Sequence, residues 1–80
     1  MPEEVKTMTT LDLKGLMCPI PIVRLSQAIK QVQVGEIIEA FATDPGVLAD
    51  IPAWCKTSGN ELLKMERNDK IFRFMVRRLK

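Results

Sequence analysis

The chain of 80 residues has no histidine and only two cysteines, Cys18 and Cys55. Imidazole is a common metal ligand, the usual partner of a nucleophilic cysteine and the base of a serine triad. Without it, neither a metal site nor a self-sufficient hydrolase is expected, and nothing in the chain suggests a bound cofactor. Charge of one sign is also missing: 12 basic residues face 10 acidic ones, for a net charge of +2. The chain as a whole therefore lacks the positive field with which non-specific nucleic-acid binders displace counterions. Residues 1 to 10 carry Glu3, Glu4 and Lys6 and no long apolar run. Neither a secretory leader nor a membrane span is read there, so a cytoplasmic, reducing setting with no membrane association is the expectation. In that setting two cysteines are more often free thiols than a disulfide.

What is present is the balance of a folded domain, 46% apolar and 28% charged residues. At this length one core is all the chain can build, so any site should lie at the surface. Residues 1 to 9 read as a flexible leader and residues 10 to 80 as a single domain. The alternation Thr9-Thr10-Leu11-Asp12-Leu13 predicts a strand with Leu11 and Leu13 inward. Residues 19 to 32 place apolar side chains at 22, 25, 28, 29 and 32, the spacing of an amphipathic helix. Residues 36 to 43, between Gly35 and Asp44-Pro45-Gly46, predict a second strand. A second helix follows over 47 to 58. Pro52 disfavours helix at Ile51, so Asp50 is expected to cap its main part after a looser turn. Leu48, Ile51 and Cys55 share one stripe of that helix, which makes Cys55 a core residue; Trp54 is likewise assigned to packing. Two further strands, 62 to 67 and 71 to 79, should form a hairpin turning at Asn68-Asp69.

The order β-α-β-α-β-β predicts an α+β two-layer sandwich, a four-stranded mixed sheet with both helices on one face. The open face should then carry Ile37, Glu39 and Phe41 beside Arg73, Met75 and Arg77.

Cys18-Pro19-Ile20-Pro21 is the feature that folding alone explains least. Proline suits a first helical turn, but the second one removes another amide and pushes Ile20 from helical geometry. The return is stiffness, which fixes the sulfur before a partner arrives. With Cys18 as N-cap, the sulfur would lie at the positive end of the helix dipole, near the Ile20 amide, with Arg24 adding positive potential. Such placement would lower the thiol pKa and favour the anion, the species that attacks sulfur donors.

These residues resemble the TusA, or SirA-like, family of small sulfur carriers, whose signature is Cys-Pro-x-Pro at the start of the first helix. The likeness includes Leu11-Asp12, Gly15 to Cys18, Gly35-Glu36, Asp44-Pro45, Asp50-Ile51-Pro52 and Trp54-Cys55. It implies that Cys18 accepts sulfane sulfur as a persulfide, with Pro19, Ile20, Pro21 and Arg24 supporting the site. The implied donor is a cysteine desulfurase or rhodanese-like protein. The implied acceptors serve tRNA thiolation, molybdenum-cofactor biosynthesis or sulfur oxidation. The protein would act with partner enzymes, a persulfide sulfurtransferase rather than a complete catalyst. The middle motif position is Ile20, where members serving tRNA thiolation often carry a polar or charged residue.

Two alternatives accompany this reading. The basic end, Lys70, Arg73, Arg77, Arg78 and Lys80, suggests a small nucleic-acid-binding module, as does a topological likeness to the C-terminal domain of a bacterial translation initiation factor. Fold likeness and local charge are weak guides to function, and direct nucleic-acid binding is not expected. The other alternative is a regulatory interaction module in which the motif is structural.

Overall fold

The structure, a computed structural model, describes residues 8 to 80. Its elements follow the expected order: β1 (Met8–Leu13), α1 (Ile20–Ile29), β2 (Ile37–Ala42), α2 (Val47–Ser58), β3 (Glu61–Asn68) and β4 (Ile71–Arg77). The leader expected at residues 1 to 9 lies outside the described residues, except for Met8 and Thr9, which belong to β1. The sheet runs β1-β2-β4-β3, with β1 parallel to β2 and the other pairs antiparallel. Among the described residues no helix is long and apolar enough to cross a membrane.

One face of the sheet is the core. Leu13 from β1, Ile38, Ala40 and Ala42 from β2, and Phe72, Phe74 and Val76 from β4 meet Leu25 and Ile29 of α1 and Val47, Ile51 and Cys55 of α2. The two-residue alternation of β2 and β4 puts Ile37 opposite Arg77, Glu39 opposite Met75 and Phe41 opposite Arg73 on the other face, as the pattern predicted. Arg73 bridges Glu39 and, at 2.7 Å, Glu66, while Arg77 pairs with Glu61 at 3.4 Å. β3 is an edge strand with most of its side chains exposed, interrupted by a bulge between Leu62 and Lys64. Its Glu61, Lys64, Glu66 and Arg67 make that edge a poor template for further strand pairing.

Two helix boundaries and one side chain's exposure differ from expectation. The first helix stops at Ile29, where the Gln31 amide bonds back to the Ala28 carbonyl and tightens the last turn; Val32 reaches the core from outside the helix. Asp50 does not cap the second helix. α2 is continuous from Val47, capped by Gly46, with Pro52 inside it. Upstream of the proline the first turn is already closed: the Leu48 amide donates to Pro45, and those of Ala49 and Asp50 both donate to Gly46. An interior proline costs about 3 kcal/mol. Burial of Val47, Ile51 and Cys55, at about 1.5–3 kcal/mol for a large aliphatic side chain, more than offsets it. Leu48, placed on the inward stripe by spacing, is exposed.

Candidate functional site

Parallel pairing of β1 and β2 brings the loops that leave their carboxyl ends side by side, the usual place for a site in sheets of this connectivity. Two bonds tie these loops together. The Gly15 amide donates to Thr43 Oγ1 at 2.9 Å, and the Cys18 amide donates to Asp44 Oδ2 at 3.1 Å. Cys18 is thereby anchored from the second loop, 26 residues further along the chain. The peptide bond from Cys18 to Pro19 is cis.

The N-cap of α1 is Pro19, so Cys18 lies one residue outside the helix. The first-turn amides are already committed. Ile20 N–H donates to Met17 at 2.9 Å, Pro21 has none, and the amides of Ile22 and Val23 both donate to the Pro19 carbonyl. The expected anion-stabilising helix end therefore offers the sulfur no free amide.

The sulfur packs on the start of α2. A Cβ built at Gly46 would lie 3.0 Å from Cys18 Sγ and 3.1 Å from Asp44 Oδ2, so both atoms occupy the space a side chain would need. The Asp44 carboxylate acts on the thiol most strongly and that of Asp50 second. Both carboxylates favour the protonated form, and with partial burial they push the thiol pKa up to about 12. This reverses the expectation of an acidic thiol, and Arg24, exposed on α1, is not among the groups acting on the sulfur. Asp44 is correspondingly held below the usual carboxylate range by the Cys18 side chain, the Cys18 amide and the Gly46 amide.

The other motif residues divide by role. Pro21 is buried in the first turn of α1, whereas Pro19 and Ile20, next to Cys18 in the chain, are exposed. Met17, 73% exposed, with Ile20 and Val23 gives the site an apolar rim. Asp44, Gly46 and Asp50 were not assigned to the site from sequence. The available signal was topological: successive parallel strands place the loop after the first beside the loop after the second.

Cys55 is buried, and burial pushes its thiol up to about 11, an inert core group. Both cysteines are free. Among the described residues no cluster of acidic and thiol groups could hold a metal ion. The basic end is largely engaged. Besides the paired Arg73 and Arg77, the Arg78 guanidinium donates to the carbonyls of Val32 and Lys80, and the Lys80 side chain lies over Gly59. A hollow of about 290 Å³ on the open sheet face, lined by Phe41, Glu66, Ile71 and Arg73 among others, does not include Cys18.

The family model for sulfurtransferase TusA matches residues 9–78. A sulfur carrier protein TusA from Allochromatium vinosum is 35% identical over 68 residues, covering 85% of this chain and 90% of that protein. A candidate sulfur carrier of Archaeoglobus fulgidus is 36% identical over 73 residues, covering 91% of this chain and 100% of that one. A longer candidate carrier from Aquifex aeolicus is 46% identical over 67 residues; the match covers 84% of this chain but only 34% of that protein. The crystal structure of a SirA-like protein from Desulfitobacterium hafniense superposes with a TM-score of 0.72 over 92% of this chain and 100% of its own. At 18% identity that likeness concerns the fold, the same two-layer α+β arrangement. The match to the family model over nearly the whole described chain shows that the protein belongs to the TusA sulfurtransferase family.

Proposed function

We propose that this protein is a sulfur carrier that holds sulfane sulfur as a persulfide on Cys18 and exchanges it between a donor and an acceptor protein. The observation that carries the reading is Cys18 itself, a partly exposed thiol on a loop cross-tied to its neighbour and rimmed by Met17, Ile20 and Val23. Membership of the TusA family, and the carrier names of its relatives, support the same conclusion.

The exchange is redox-neutral. The Cys18 sulfur bonds to the outer sulfur of the donor's persulfide, the donor's S–S bond breaks, and the departing donor thiolate takes up the proton that Cys18 gives up. Passing sulfur onward repeats the step with Cys18 as leaving group. A cysteine desulfurase or a rhodanese-like protein fits as donor, in a cytoplasmic setting that keeps both cysteines reduced. Acceptors in tRNA thiolation, molybdenum-cofactor biosynthesis or sulfur oxidation fit the chemistry. The apolar Ile20 and its neighbours favour an acceptor surface unlike that of the tRNA-thiolation members. Pairing of Arg73 and Arg77 weakens the nucleic-acid alternative, and no tRNA binding is expected even at low salt.

The test is intact-protein mass spectrometry after incubation with a cysteine desulfurase and cysteine, and separately with a small persulfide donor. One added sulfur atom is expected, lost in Cys18→Ala and retained in Cys55→Ala. Absence of any adduct with both donors would remove the carrier reading.

A further inference from the structure

The site contains an element that a simple sulfur handle does not need: the Asp44 carboxylate shares the space over Gly46 with the sulfur, and a second carboxylate, Asp50, stands one helical turn on from that glycine. Asp44 comes from the loop after β2 and Asp50 from the first turn of α2; α1 and the loop before it contribute no charge that acts on Cys18. Asp44 is built in. Its Oδ2 accepts the Cys18 amide at 3.1 Å, and Gly46 leaves room for oxygen and sulfur together, since a Cβ there would lie 3.1 Å from that oxygen and 3.0 Å from Sγ. Among the described residues neither Asp44 nor Asp50 has an ion-pair partner, although five other such pairs form on this small surface.

We propose that Asp44, seconded by Asp50, is a positioning residue that keeps the empty carrier's Cys18 as an oriented, protonated thiol, and that a cationic group on the docking partner releases it by neutralising these carboxylates. The inference rests on the sulfur-carrier reading and deepens it by giving the partner a chemical feature: a lysine or arginine set within an apolar contact that meets Met17, Ile20 and Val23. The direction of the effect on the thiol agrees with the geometry, since every group acting on the sulfur opposes its ionisation. The carrier then stays quiet toward stray electrophiles and oxidants and becomes nucleophilic where its partner docks.

The test needs no sulfur donor. The rate at which iodoacetamide alkylates Cys18 is followed against pH, with peptide mapping to separate it from Cys55, in wild type, Asp44→Asn, Asp44→Glu and Asp50→Asn. Wild type should show its inflection well above that of an ordinary free cysteine. Asp44→Asn, which keeps an acceptor for the Cys18 amide, should lower it, raising the rate at a fixed mildly alkaline pH by about threefold for each unit of the fall, about a tenfold gain in thiolate set against about a threefold loss of nucleophilicity. Asp44→Glu should retain the wild-type behaviour, and Asp50→Asn should show a smaller shift of the same sign. In parallel, two ethyl methanethiosulfonates, one bearing trimethylammonium and one sulfonate, are compared. In each the thiolate attacks the reagent's sulfur, a mixed disulfide forms and methanesulfinate leaves. Wild type should prefer the cationic reagent more strongly than a small free thiol does, and the Asn variants should lose that preference. A wild-type inflection at or below about 8.5, the ordinary cysteine value, would overturn the proposal, as would an unchanged profile in Asp44→Asn. Should Asp44→Asn fail to fold, Asp50→Asn and the charged reagents decide the matter. Failure here leaves sulfur loading intact, whereas failure of the carrier reading appears as missing sulfur mass with these profiles unaltered.

Discussion

Gly46→Ala isolates the contact on which the site is built. The backbone at Gly46 is right-handed helical, with φ −60° and ψ −24°, so alanine suffers no conformational penalty there. Loss of glycine's freedom in the unfolded chain favours the variant by about 0.4–1 kcal/mol. Against that, the new methyl meets Cys18 Sγ at 3.0 Å and Asp44 Oδ2 at 3.1 Å, closer than ordinary van der Waals contact. Both atoms end short side chains, and a few tenths of an ångström of displacement relieve the contact. Overpacking in a rigid core costs about 1–3 kcal/mol; at this partly exposed site the low end applies, so the two effects nearly cancel. The melting temperature should therefore move by less than about 8 °C, the shift that 1 kcal/mol produces in a domain of this size.

The thiol should respond more than the fold does. Sulfur displaced from the Asp44 carboxylate loses part of the interaction that holds its proton, so the alkylation inflection should move down from the wild-type position. Differential scanning calorimetry and pH-dependent alkylation on the same preparation read the two quantities separately. A loss of stability far beyond 1 kcal/mol with an unchanged alkylation profile would refute the reasoning, because the glycine would then serve α2 rather than the sulfur.

Three other outcomes follow from the same structure. The carboxyl of Asp44 has a folded pKa below its unfolded value, so its contribution to stability is present above the unfolded carboxylate pKa and is lost as pH falls through the folded one. The stability difference between wild type and Asp44→Ala, measured by urea titration, should accordingly be largest near neutrality and shrink below about pH 4. Phe74→Ala removes the largest fully buried side chain and should cost about 3–5 kcal/mol in urea unfolding, a large part of the stability of so small a domain. Cys55→Ser puts a hydroxyl into an apolar, buried position and should cost about 1–3 kcal/mol while leaving Cys18 alkylation unchanged; altered Cys18 kinetics would contradict the assignment of Cys55 to the core.

Most of the architecture was legible because the signals that set it are local. The period of two in β2 and β4 fixes which side chains share each face, and Asp69, at φ 60°, turns the hairpin as an aspartate can. The burial of Cys55 followed from its spacing to Ile51. Reading the chemistry of Cys18 locally failed for a definite reason. A cysteine before Pro19 suggested a helix cap, and a helix start suggested an acidic thiol. The element beginning beside the sulfur is not the one that sets its ionisation. The groups that govern it, Asp44, Gly46 and Asp50, lie in another loop and another helix and arrive through the parallel pairing of β1 with β2. The prolines meanwhile remove the α1 amides on which the local argument depended, one by lacking an N–H and the other by having its carbonyl occupied twice. Continuity of α2 through Pro52 was hidden for a similar reason, since the core contacts that offset the proline come from the sheet.

An unreactive thiol is compatible with carriage when reactivity and recognition are supplied together. Raising a thiol's pKa by one unit lowers the thiolate fraction near neutrality about tenfold but raises the nucleophilicity of each thiolate only about threefold, from a Brønsted slope of 0.4–0.5. The net effect is slower reaction in solution, by about threefold per unit, and it accumulates over the large shift at Cys18. A partner that cancels the Asp44 and Asp50 charges reverses this loss at the moment of contact, while Met17, Ile20 and Val23 provide the apolar area that makes contact last. Affinity and activation then depend on different residues of one surface. A partner lacking the cation can occupy the rim and still exchange no sulfur, which lets a carrier without any general base discriminate among the proteins that dock on it.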